Sequence, residues 1–126
     1  MSNATFLAID HVQLAMPACG EARAREFYVR LLGMVEIEKP EELRARGGAW
    51  FGSGIVQIHL GVEADFGPAK KAHPALRCSD YDGLLATLRE AGIVAVGDSS
   101  AVPDGSRHAY VEDPFGNRIE LIDVAR

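Results

Sequence analysis

The chain repeats itself once. Gly33 and Gly92 each close a stretch of helical spacing and stand 59 residues apart. His11 and His73 each sit in an early strand-like run, 62 residues apart. Ile58-His59-Leu60 and Ile119-Glu120-Leu121 have centres 61 residues apart. Three landmarks at nearly one offset predict two copies of a strand-helix-strand-strand-strand unit. Two copies are too few for a solenoid. The chain has 126 residues, so each half is close to the size at which a core becomes marginal, and the halves are expected to pack as one domain.

Local patterns fill in the repeat. Phe6 to Met16 alternates and ends at Pro17, which predicts a strand. Glu21 to Leu32 carries an apolar stripe at helical spacing (Ala24, Phe27, Tyr28, Leu31, Leu32), and Gly33 follows where a helix end favours glycine. Val35 to Glu38, Ala49 to Gly52 and Ile55 to Gly61 read as strands, with Pro40 to Arg46 as a charged turn. The second copy runs His73 to Cys78 (strand), Asp80 to Ala91 (helix), Val94 to Val96, His108 to Glu112 and Arg118 to Val124 (strands). Ser99 to Gly105 reads as a polar loop, and Asp113-Pro114-Phe115-Gly116-Asn117 as a tight connection. Val62 to Ala72, containing Pro68, links the copies.

Charge and cysteine content narrow the function classes. Lys plus Arg is 13 and Asp plus Glu is 18, a net charge of −5. An acidic chain without a basic stripe argues against nucleic acid or an anionic membrane as partner. No run approaches the apolar length of a membrane span, and Met1 to Asp10 lacks a signal-like pattern. The two cysteines, Cys19 and Cys78, form no disulfide framework or zinc ribbon. These features predict a cytoplasmic protein. Gly47-Gly48 and Gly52-Ser53-Gly54 lack the context of a phosphate loop, and no Gly-x-Ser-x-Gly elbow occurs. Ser106-Arg107-His108 reads as a loop entering a strand rather than a nucleophile with its base.

His11, His59 and His73 occupy repeat-related positions, and Glu120 takes the fourth. Each has apolar neighbours, which in a strand point to the opposite face. Singly, a strand histidine is ordinarily a satisfied polar residue, and Glu120 an exposed strand position. Jointly, three imidazoles and a carboxylate at equivalent positions have no packing reason to match. If the two sheets close around one cavity, these side chains converge as a first shell for Fe(II), Mn(II), Ni(II) or Zn(II).

Three segments carry a family likeness. They are Asp10-His11-Val12, Phe27-Tyr28 through Leu32-Gly33, and the string from Asp113 to Leu121. On these the chain resembles the vicinal oxygen chelate superfamily (glyoxalases, bleomycin resistance proteins, extradiol dioxygenases) over about residues 6 to 124. The resemblance implies an α+β fold of two βαβββ modules forming a half-open, eight-stranded, barrel-like sheet. It implies a single domain over 5–126, with modules at about 5–61 and 73–124 and a linker at 62–72. By position it implies His11, His73 and Glu120 as metal ligands, with His59 as a fourth ligand or an acid/base. Gln57, Trp50, Phe51 and Arg107 are candidate substrate contacts.

The implied function is a divalent-metal-dependent enzyme, isomerase- or lyase-like, acting on a small oxygenated substrate by chelation and Lewis-acid catalysis. Departures from the named activities are visible. A glyoxalase-like site would carry Glu where His59 stands. An epimerase-like site would need a carboxylate near Trp50-Phe51. A thiol transferase would need a basic anion pocket, for which Arg107 and Arg118 are the nearby cations. Tyr110 stands ten residues before Glu120, as in extradiol ring-cleaving dioxygenases, and is otherwise a cross-strand packing residue. A non-catalytic antibiotic- or toxin-binding protein is the alternative outside enzymes. Exposed sheet edges imply a homodimer, and the 62–72 linker allows the modules to pair across chains.

Overall fold

Alternating apolar residues decide which face of each strand is buried, and two sheets follow from that pattern. In a computed structural model the elements run β1 (Val12–Met16), α1 (Glu21–Arg25) continuing as a π-helical segment (Glu26–Leu31), β2 (Val35–Ile37), α2 (Glu41–Arg44), β3 (Ala49–Ser53) and β4 (Val56–Val62). The second half runs β5 (Ala75–Arg77), α3 (Tyr81–Glu90), β6 (Val96–Gly97), β7 (His108–Glu112) and β8 (Arg118–Ile122). The structure describes residues 1–97 and 103–125, so residues 99–102 of the expected polar loop lie outside the described residues.

The strands form two four-stranded sheets, ordered β1-β4-β3-β2 and β5-β8-β7-β6. β1 pairs parallel with β4 and β5 with β8, while the remaining pairs are antiparallel. The fold is therefore α+β, with the repeated βαβββ order that the landmark spacing predicts. No helix among the described residues is long and apolar enough to cross a membrane.

Several boundaries differ from the sequence expectation. The first strand begins at Val12, opposite Ile58, and residues 1–11 stay outside any ladder and exposed. His11 thus precedes β1. His73 precedes β5, because Pro74 has no amide hydrogen to give a ladder and instead its carbonyl accepts from Glu120 N–H at 3.0 Å. The first helix widens after Arg25, where Leu32 N–H reaches back five residues to the Phe27 carbonyl. Phe27 and Tyr28 of this segment are both buried. The charged turn after Pro40 contains a single helical turn, Glu41–Arg44.

Tyr28 stacks on Phe51 at 5.1 Å, within a core that includes Met16, Ile58 and Leu60 from the first sheet and Val111, Ile119 and Leu121 from the second. Gly48 closes this region: its φ is +85°, and a Cβ there would stand 2.1 Å from the Leu60 carbonyl. Its N–H donates to Glu21 Oε2 at 2.9 Å.

One buried carboxylate ties the halves together. Asp113 Oδ1 accepts from Phe115 and Asn117 N–H at 2.9 and 2.8 Å, which shapes the tight connection. Asp113 Oδ2 accepts from the Tyr28 hydroxyl at 2.7 Å and from Asn117 Nδ2 at 2.9 Å. Asn117 Nδ2 also donates to the Ala15 carbonyl of β1 at 2.8 Å. Burial and the Asp113 charge push the Tyr28 phenol far above its ordinary value, so it stays a donor.

Asp113→Ala is expected to lower unfolding free energy by about 3 kcal/mol or more, because it strands several buried donors, and Tyr28→Phe by about 1–2 kcal/mol. Urea unfolding measures both. The Gly48 N–H holds the Glu21 carboxyl below its ordinary value of 4.5. A depressed carboxylate stabilises above its unfolded value, and this contribution is lost as pH falls through the folded value. The stability gap between wild type and Glu21→Gln should therefore narrow on acidification below pH 4.5.

Candidate functional site

The polar face of the second sheet gathers the first half of the site. In β8, Ile119 and Leu121 face the core, so Glu120 points the other way. Its backbone partners are Ala75 in β5 and Tyr110 in β7. Glu120 Oε1 lies 3.1 Å from His73 Nε2, and Oε2 lies 2.6 Å from His108 Nδ1. Tyr110 stands edge-on to both imidazoles, with ring centroids 5.3 Å from His73 and 5.7 Å from His108. The Arg118 guanidinium covers the Tyr110 ring at 4.0 Å.

The first sheet carries the other half. Register places Trp50 opposite His59, with Gln13 on the far side. His59 lies between two rings, stacked on Trp50 at 4.1 Å and on His11 at 4.0 Å. His59 Nε2–H donates to Gln57 Oε1 at 3.0 Å, and His11 Nδ1 lies 2.8 Å from Asp10 Oδ1. Burial pushes the His59 imidazole below its ordinary value of 6.5, and the nearby His11 adds in the same direction.

The donor chemistry of the second-sheet cluster fits a metal ion. His73 Nδ1–H donates to the Lys71 carbonyl at 2.7 Å, which leaves Nε2 with a lone pair in the neutral ring. That lone pair faces a carboxylate oxygen, and two acceptors at 3.1 Å need a cation or a proton between them. Two ligand atoms about 2.1 Å from one ion stand about 3.0–3.4 Å apart, so the spacing suits adjacent ligands.

The expected four-residue shell does not form within this chain. His73 meets Glu120, and His11 meets His59, but the pairs sit on separate sheets. Among the described residues no three His, Cys, Asp or Glu side chains gather as a metal shell. His11 and His73 do border one cavity of about 890 Å³, lined largely by apolar residues of β1, β4 and β5.

One expected substrate contact is corrected, and a second is engaged elsewhere. Phe51 has no exposed surface and belongs to the core, because it shares the buried face with Ala49 and Ile58. Arg107 is committed to Asp82 and Asp123, with contacts of 2.9–3.2 Å, and to the Tyr81 ring at 4.9 Å. Trp50 and Gln57 do lie on the polar face, against His59.

A family model, the Glyoxalase/Bleomycin resistance protein/Dioxygenase superfamily, matches residues 8–121. The chain belongs to this superfamily. Among solved structures, a glyoxalase family protein from Bacillus anthracis is 48% identical with a TM-score of 0.90, the match covering 97% of this chain and 98% of that one. A glyoxalase/dioxygenase from Nostoc punctiforme is 24% identical (97% and 98% covered, TM-score 0.71). The fosfomycin resistance protein FosX from Listeria monocytogenes is 14% identical (94% of each chain, TM-score 0.74), a likeness of fold alone. Comparison with curated proteins finds no match.

In this superfamily member, His108 is the site residue that sequence reasoning missed. Its repeat counterpart is Gly48, so the internal comparison carries no signal there. The available signal was its position two residues before Tyr110, on the same strand face. For the first-sheet stack, NMR titration should place the His59 midpoint below 6.5. Trp50→Ala, which opens one side of the ring to water, should raise that midpoint. Since burial disfavours the charged ring, acidification through 6.5 should cost stability in wild type and less in the variant.

Proposed function

We propose that this protein is a divalent-metal-dependent enzyme acting on a small oxygenated substrate by isomerase- or lyase-like chemistry. The observation that carries the reading is His73 Nε2 lying 3.1 Å from a Glu120 carboxylate oxygen while Nδ1 is engaged by the Lys71 carbonyl, in a chain of this superfamily. His73 and Glu120 would hold the ion, with His11 as the third ligand. A bound divalent ion supplies Lewis acidity to the vicinal oxygens of the substrate and eases charge build-up there. His59, kept neutral by burial, serves as fourth ligand or as general base. Tyr110 and Arg118 border the centre, and the guanidinium favours a substrate carrying negative charge.

Because the two donor pairs stand on separate sheets, we propose that each site takes His11 and His59 from one copy and His73 and Glu120 from another. Exposed Phe6, Leu7 and Ile9, ahead of β1, together with Ile55, support a partner copy over this edge. Elemental analysis of protein purified without a nickel column should find about one transition ion per chain, lost in Glu120→Gln. Mixing His11→Ala with Glu120→Gln chains should restore metal binding, because a mixed dimer rebuilds one intact site. Binding that stays absent in the mixture would place all ligands in one chain. Oxygen uptake with catechols would mark the ring-cleaving branch of the same chemistry.

A second reading rests on the apolar cavity of about 890 Å³ between β1 and β5. Its size suits a drug-sized molecule held without turnover. Protein that takes up no metal after reconstitution, yet binds such a molecule saturably in the presence of chelator, would favour this reading.

A further inference from the structure

We infer that His108 is a positioning residue that commits one oxygen of Glu120 and leaves the other for the ion. The inference rests on the metal-centre reading above. Glu120 and His108 are each 7% exposed, so the carboxylate has little water to satisfy it. The two oxygens have different partners. Oε2 accepts from His108 Nδ1–H at 2.6 Å, the short distance of a charge-assisted bond. Oε1 faces His73 Nε2 at 3.1 Å.

A glutamate that turns freely about its last bond can present one oxygen or both. With Oε2 held by an N–H, Glu120 is set to bind through Oε1 alone. The sheet sets this geometry. In the antiparallel pair β7/β8, Tyr110 lies opposite Glu120 and His108 lies opposite Ile122, so His108 reaches Glu120 across the diagonal. Tyr110 packs edge-on against both imidazoles. Outer residues that fix a ligand in this way commonly matter to metal affinity almost as much as the ligand itself.

The test is a titration of the full-length protein with Co²⁺, followed by its visible absorption. Wild type, His108→Ala and His108→Asn are compared, with folding checked by urea denaturation. His108→Ala should weaken Co²⁺ binding by about 10–100-fold and alter the spectrum. His108→Asn should recover most of the affinity, because its amide Nδ2–H can stand where Nδ1–H stood. A merely structural role would not show this rescue alongside a changed spectrum. Wild-type affinity in a folded His108→Ala overturns the inference and leaves the metal-centre reading intact. Wild type that binds no Co²⁺ overturns both.

A second measurement needs no variant. In ¹⁵N NMR with Zn²⁺ added, the His73 Nε2 resonance should move, while His108 Nδ1 keeps its proton. Loss of that proton on metal binding would make His108 a ligand and overturn the positioning role.

Discussion

The buried carboxylate of Asp113 is the constraint on which the architecture depends. It accepts four hydrogen bonds, two that shape its own turn, one from the Asn117 side chain and one from Tyr28 of the first half. Asn117 carries the link on to β1. Arg23 adds a bond to the Pro114 carbonyl at 2.6 Å and covers the Phe115 ring. The turn that feeds β8, and hence Glu120, is therefore anchored to the helix and first strand of the other module. A polar network can do this in a core because every member is satisfied, and among the described residues no buried side-chain polar atom lacks a partner.

The same architecture explains why the donors are split. Each sheet buries one face, and its polar residues collect on the other. Parallel pairing of β1 with β4 brings His11 to His59, and pairing of β5 with β8 brings His73 to Glu120. Pairing operates within a sheet, so it cannot bring one pair to the other. The repeat also has an inner symmetry. Trp50 lies opposite His59 as Tyr110 lies opposite Glu120, so in each module an aromatic ring flanks the polar residue of the last strand. In the first module the result is a stack of three rings. In the second, a carboxylate stands between two imidazoles.

Much of this was legible in the residues. The near-60 spacing of Gly33 with Gly92 and of His59 with Glu120 marks the duplicated unit, because equal units fold to equal lengths. The alternation around His59 and Glu120 assigned their faces correctly. Phe51 was misassigned because aromatic character alone does not tell a pocket wall from a core. The pairing of Arg107 was not legible because its partners are remote in sequence, with Asp82 on a helix and Asp123 past the last strand. The early residues of the first strand alternate well, yet the ladder with β4 starts only at Val12, opposite Ile58.

The sequence by itself determined the fold class, the two-module order and which polar residues leave the core, since these follow from period, turn residues and length. Only the tertiary structure decided how those residues pair. Register placed His108 across the diagonal from Glu120, and the Lys71 carbonyl selected the ring nitrogen that His73 presents. Such choices depend on contacts between atoms far apart in the chain, and hydrophobic periodicity carries no record of them.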